Sequence, residues 1–398
     1  MWHPVVVVLC RHDDNNILRV FAGLRRGSKD SCGVAFVMLG QPGDTALMNQ
    51  GRAAKAAKQH FLQQFGVVAS VVFVVHPTFA DGARILVQLE QFGGLDANVV
   101  MLDWPTEMGG TQDFLAIVGA AQAQSKAILA VKNASKFPCS PEEVPAGASI
   151  DLWWVVHDGG LVILFGAIMM LSETYHHCHL RLFVVMEAGP DQELSSQVVK
   201  EWLVRNKLDA TVEVVVLDDE MIEPYTNDWT LRVEARRHVL EQLQCSGSFS
   251  STPAPMELDD LFNTTSQDKG QRPASTGSAG SCHPTRQSRL ASWSSFSSAD
   301  PEDWVRWRAM KQWSVDRDGP KPEDWFQQAH VEELNRVITA RSSDALLTLV
   351  NLPTPWGYDA ASAATYFQYC DILTRGIERV VFVRSSGAEV FDLTAAKP

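Results

Sequence analysis

The sequence has no excess of basic charge. Its 34 Lys and Arg stand against 47 Asp and Glu, a formal net charge of -13. That excludes phosphate recognition by a basic surface, and with it a nucleic-acid partner. Paired cysteine motifs are missing too. The seven cysteines, at 10, 32, 139, 178, 245, 282 and 370, are scattered and include no CxxC. A disulfide framework or structural zinc site needs close, paired spacing, so reduced thiols in a cytosolic compartment are predicted. The longest apolar run, Leu161–Leu171, holds only eleven residues. Crossing a bilayer takes about 20, so no transmembrane helix is predicted. The start, Met1–Leu9, lacks a basic n-region, and its apolar run is too short for a signal peptide. There is no GxxxxGK[ST], no GxGxxG between a strand and a helix, and no GxSxG nucleophile elbow, which removes the strong forms of phosphate-loop and hydrolase chemistry.

What is present is an alternation of strand-like and helix-like patterns over 398 residues, a length that predicts two domains with linkers. Continuous β-branched runs fall at Val5–Leu9, Val34–Leu39, Val67–Val75, Val99–Leu102 and Ala127–Val131, with helical stretches at Thr45–Gln64 and Ala80–Gln91. Apolar runs without alternation mark strands covered on both faces, as in the parallel sheets of α/β folds. After a loop with Pro138, Pro141 and Pro145 a second unit begins. Its predicted strands are Asp151–Val156, Leu180–Val185, Thr211–Leu217, Ala345–Val350, Arg379–Val383 and Glu389–Leu393. Its predicted helices are Leu161–Thr174, Glu193–Asn206, Asp228–Gln244, Gln328–Arg341 and Ser362–Thr374. The expected division is 1–140 for the first α/β half, 141–245 for the start of the second, 246–300 for a disordered loop rich in Ser, Gly and Pro, and 301–398 for its completion.

Candidate chemistry is sparse. His157 and Asp158 are adjacent, and neighbours on a strand point to opposite faces; a dyad would need the turn that Gly159 and Gly160 could supply. With no positioned nucleophile, a helix-capping Asp158 and a hydrogen-bonded, mostly buried His157 are the expected reading. His176, His177, Cys178 and His179 are four contiguous ligand types, but a strand cannot turn them all to one ion, so no metal site is predicted. Arg11, Asp13, Arg25, Arg26 and Lys29 cluster after the first strand, and Trp104 follows a later one. Ligands of α/β sheets bind at strand C-termini, so a nucleotide or merely a solvated loop could occupy this region. Arg286 and Arg289 ahead of Ser292 form a basophilic-kinase pattern, making Ser292 a phosphorylation candidate.

The stretch Ile150–Gly160, IDLWWVVHDGG, resembles the signature of the cytosolic C-terminal domain of cation-chloride cotransporters, closest to the K–Cl branch. Trp153, Trp154, His157, Asp158, Gly159 and Gly160 carry it. Other blocks follow the family's order: Trp2-His3-Pro4-Val5, Gly93–Met101 running into Asp103-Trp104-Pro105, Lys132–Pro138, Leu334–Ile338, Leu349–Pro353 and Arg379–Val390. The resemblance implies two universal-stress-protein-like halves with mainly parallel sheets and no enzymatic activity. It implies a homodimer on the cytosolic face of a membrane, joined to a transporter membrane domain absent from this chain and controlled by regulatory kinases. It also implies ATP as a regulatory ligand of the first half in some members, with Arg11, Asp13, Lys29 and Trp104 as the residues nearest that role here. No cofactor is required. The threonine phosphosite that K–Cl members carry ahead of the Leu334–Ile338 block falls near His330 in this chain. A free-standing nucleotide binder of the stress-protein type is the alternative, and a hydrolase using His157 and Asp158 is a third reading.

Overall fold

A computed structural model describes residues 4–25, 32–89, 97–155, 160–187, 208–218, 327–355 and 359–386, together with 200, 203, 204, 221 and 225. Strands β1 (Val6–Arg11), β2 (Cys32–Leu39), β3 (Ala69–His76), β4 (Val99–Asp103) and β5 (Ala127–Lys132) alternate with helices α1 (Asn16–Arg25), α2 (Thr45–Gln64), α3 (Phe79–Gln88) and α4 (Met108–Ala123). Then come β6 (Ser149–Trp154), α5 (Leu161–Met170), β7 (His179–Glu187), β8 (Ala210–Leu217), α6 (Gln328–Ser342), β9 (Leu347–Asn351), α7 (Ala360–Leu373) and β10 (Val380–Arg384). The α/β class and the mainly parallel pairing agree with the sequence expectation. Helices α1 and α4 were not singled out in the sequence. The expected strand 389–393, the helices over 193–206 and 228–244 (save single residues of the first) and the loop 246–300 lie outside the described residues.

The ten strands form one sheet in the order β3-β2-β1-β4-β5-β10-β9-β6-β7-β8. Every pairing is parallel except β5 with β10, which is antiparallel. The order reads as two five-stranded sheets of identical topology joined through their fifth strands. A register can be set between them. Trp104 donates its backbone N–H to the carbonyl of Val131 at 2.8 Å, and Leu352 donates to Val383 at 2.8 Å. Leu352 is thus the counterpart of Trp104, Asn351 of Asp103, and Val383 of Val131; each half then continues into a proline, Pro105 and Pro353. In this register Ala130 and Phe382 are counterparts, and they also face each other across the seam. The remaining pairs fall symmetrically about them: Val131 with Val381 mirrors Leu129 with Val383. A pseudo-twofold axis therefore passes through the Ala130–Phe382 pair.

The seam is packed by aromatics from both halves. Trp104 lies 4.8 Å from Phe367 and 4.8 Å from Phe382, centroid to centroid, and 5.2 Å from Phe114. These rings belong to one apolar cluster beneath α3, α4, α6 and α7 that runs across both halves. Placing a small Ala130 opposite a large Phe382 lets the bulk fit once rather than twice. Lys132 reaches over the seam to Asp371 at 2.6 Å and Thr374 at 2.9 Å. In the mirrored position Arg384 meets Gln122, whose amide oxygen accepts from its guanidinium in the orientation that satisfies both groups.

Local chemistry starts the elements. Asp44 accepts from the N–H groups of Ala46 and Leu47 and opens α2; Asp359 does the same for Ala361 and Ser362 at α7. Gly160 sits at φ +82 and turns the signature strand into α5, a conformation that suits glycine. Gly166 lets α5 close on the sheet: a Cβ there would stand 2.7 Å from Leu152 Cδ1.

Candidate functional site

In an open α/β sheet the crevice at a change of strand direction lies beyond the strand C-termini. The first half has its switch between β1 and β4, so the β1–α1 turn and the end of β4 form its candidate site. Arg11 ends β1 with its guanidinium 5.0 Å from the Phe79 ring centre. Lys58, only 3% exposed, comes from α2 to hold the turn. Its Nζ donates to Asn15 Oδ1 and the Asp14 carbonyl at 3.2 Å each, and to the Arg11 carbonyl at 3.5 Å. The amine is thereby committed to the protein's own oxygens. Asp14 Oδ1 accepts from the N–H of Asn16 at 2.8 Å, so the start of α1, where a phosphate would bind, already holds a carboxyl group.

Carboxylates dominate the rest. Asp103, at the end of β4, has its carboxyl raised to about 7, first by burial and then by the charge and hydrogen bond of Asp14. Asp113 on α4 is raised by burial, against the pull of Arg11 and with a push from Asp81. Asp13 stays exposed, 3.9 Å from His12 Nδ1.

Of the residues the sequence named for a nucleotide, Arg11 and Asp13 do sit at this crevice. Trp104 is 5% exposed and spent in the seam, while Arg26 and Lys29 lie outside the described residues. Buried Arg25 is at the far end of α1. The described side chains at this crevice do not fit a triphosphate: the helix start is occupied, buried Lys58 is engaged, and the remaining groups are mostly acidic.

The matching position of the second half is built differently. Asn351 ends β9 and its Oδ1 accepts from the N–H of Val155 at 2.9 Å, in a buried setting. The amide closes the gap between β6 and β9 without charge. His157, Asp158 and Gly159 lie outside the described residues, as does Ser292.

The signature strand holds a second polar cluster near its N-terminal end. Asp151 is fully buried and is gripped two-pronged by Arg181, Nε to Oδ1 at 2.7 Å and Nη2 to Oδ2 at 2.8 Å. Ser342 Oγ donates to Asp151 at 2.5 Å and accepts from Trp153 Nε1 at 2.9 Å. Burial pushes the Asp151 carboxyl up while Arg181 and Ser342 pull it down; Arg181 itself is raised by Asp151. The fork geometry makes this an ion pair at neutral pH. It ties β6 and β7 to the end of α6, where Arg181 also bonds Asp344 and the Arg341 carbonyl. Trp154, the other signature tryptophan, is buried.

His176 and His177 have ring centres 3.6 Å apart, His176 Nδ1 lies 2.8 Å from the Glu173 carbonyl, and Cys178 is buried. Among the described residues no three His, Cys, Asp or Glu side chains gather as a metal site, and no helix is long and apolar enough to cross a membrane. Asp14, Lys58, Asp151, Arg181 and Asn351 were not singled out in the sequence. The only signal for the strand-end pair was a carboxamide or carboxylate directly before Leu-Pro or Trp-Pro.

Residues 142–245 match the model of a family described as Solute carrier family 12. That segment contains β6, α5, β7 and β8, with Asp151 and Arg181 but not their α6 partner Ser342. A solved structure, titled the crystal structure of the cytoplasmic domain of a prokaryotic cation chloride cotransporter, is similar over 98% of this chain and 98% of its own. It has 10% identity and a TM-score of 0.46.

Proposed function

We propose that this chain is the cytosolic C-terminal regulatory domain of an electroneutral potassium–chloride cotransporter, a dimer without enzymatic activity. The observation that carries the reading is the Solute carrier family 12 match over residues 142–245. It falls on the IDLWWVVHDGG strand, and the other family-like blocks flank it in order. The ion pathway belongs to a membrane half joined to this chain. The domain supplies a rigid platform: one ten-stranded sheet can transmit a contact at either half to the other. Ser292 is the residue through which a basophilic kinase would act.

The direct test is a graft. This chain replaces the C-terminal domain of a potassium–chloride cotransporter in cells, and chloride-dependent rubidium uptake is measured. Uptake well above that of the domainless transporter is the expected result; uptake no higher than the truncation overturns the reading. A second check is the transcript upstream of Met1, where a reading frame with a series of apolar spans of about 20 residues is expected. The nucleotide-binding alternative is weakened by Asp14 at the start of α1. Calorimetry with ATP should give no heat of binding. A His157→Ala/Asp158→Asn variant should leave any hydrolytic background unchanged.

A further inference from the structure

The two ends of the sheet differ in how they are protected. Through the paired registers Leu9–Ala35–Val72 and Trp153–Phe183–Glu213, Val72 on edge strand β3 is the counterpart of Glu213 on edge strand β8. At β8 the charge is present and fixed, Glu213 Oε1 accepting from Arg341 Nε at 2.6 Å. A charged side chain on an edge discourages pairing with another chain. At β3 there is none. Residues 67–75 read V-V-A-S-V-V-F-V-V, without charge or proline. Val72, Phe73 and Val74 are only partly buried, Val68 is 81% exposed, and among the described residues only β2 pairs with β3.

The strand is also its own complement. Val71-Val72-Phe73-Val74-Val75 is a palindrome. An antiparallel pairing centred on Phe73 sets Phe73 against Phe73, Val72 against Val74 and Val71 against Val75. Aromatic and β-branched cross-strand pairs are favourable, and no like charges meet. The protein already uses this geometry once, at the β5–β10 seam, where two five-stranded sheets join antiparallel about a central pair. Helix α2, which packs on β3, leaves Ala53, Ala56 and Ala57 exposed, so a neighbouring helix would meet methyl groups instead of long side chains.

We infer that the outer edge of β3 is an interaction surface for a second copy of this chain, pairing antiparallel about Phe73 to continue the sheet across two molecules. The inference rests on the homodimer proposed above and names its surface. In that register Ser70 faces His76 of the second copy. A Ser70→Lys/His76→Lys variant therefore opposes lysines twice, at two partly exposed positions that leave the core untouched.

Light scattering on the purified full chain should give twice the 44.0 kDa mass, and the double variant should be monomeric at the same micromolar concentration. Val216→Lys on β8 should remain dimeric. Circular dichroism should show all three folded. In the unsubstituted protein, hydrogen exchange of β3 amides should slow as concentration rises, a readout that needs no variant. A dimer that survives both lysines, or that Val216→Lys dissolves, overturns the β3 edge and leaves the homodimer standing. An unsubstituted chain that stays monomeric, with β3 exchange independent of concentration, overturns both; the graft experiment then still decides the transporter reading by itself.

Discussion

The ends of β4 and β9 occupy the same place in two copies of one topology, yet one carries Asp103 and the other Asn351. The amide is neutral, buried and bonded to Val155, so the ends of β6 and β9 are tied by a hydrogen bond. The acid is also partly withdrawn from water but faces Asp14, and its carboxyl is raised to about 7. A difference of one group, oxygen for nitrogen, turns a structural clasp into a proton-sensitive one. The same contrast recurs at the seam, where Ala130 meets Phe382, and at the sheet edges, where Val72 replaces Glu213. The two halves share one topology and differ in side chains position by position.

The comparison can be broken most severely at the axis. Phe382→Ala removes the ring that faces Ala130 and packs against Trp104, and should cost about 4 kcal/mol in denaturant unfolding. Asp151→Ala should cost about 3 kcal/mol, because the Arg181 fork and the Ser342 hydroxyl lose their acceptor; replacing the pair together with Arg181→Met should recover much of it. Ala130→Phe puts the large residue on both sides of the axis and should cost about 2 kcal/mol through overpacking.

The strand-end contrast is sharpened by Asp103→Asn, which gives the first half the residue of the second. Asp103 is protonated in the folded chain up to about pH 7, whereas the unfolded chain releases that proton near its ordinary value of 3.8. The folded state therefore binds more protons across that window, and stability should fall as pH rises from about 4 to about 7 and level off above. The variant should flatten that slope in urea titrations at successive pH values; an unchanged slope would place the proton elsewhere. Smallest is Lys132→Ala: its partner Asp371 is 56% exposed, so about 1 kcal/mol is expected.

Most of the strands were legible, because a run such as Val99–Leu102 has no polar side to present to water and so must be covered on both faces. Helix α2 was legible from Ala, Lys and Gln in a 20-residue stretch. Its Lys58 was not, since an isolated lysine in such a helix reads as solvated until tertiary packing drops it onto the β1–α1 turn. Helix α1 is short and flanked by polar residues, and α4 begins with two glycines, Gly109 and Gly110, that argue against a helix. Trp104 read as a ligand platform because it follows a strand; its neighbours Phe367 and Phe382 come from residues more than 250 positions away.

By itself the sequence determined the class of fold, the alternation of strands and helices, the absence of a long apolar span and the resemblance carried by Ile150–Gly160. Those follow from local pattern, since periodicity and composition act over a few turns of chain. Only the tertiary structure decided that the ten strands make one sheet, that Ala130 and Phe382 share an axis, and that Asp103 leans on Asp14. Those depend on registers between distant strands, where a shift of one residue would turn every side chain to the other face.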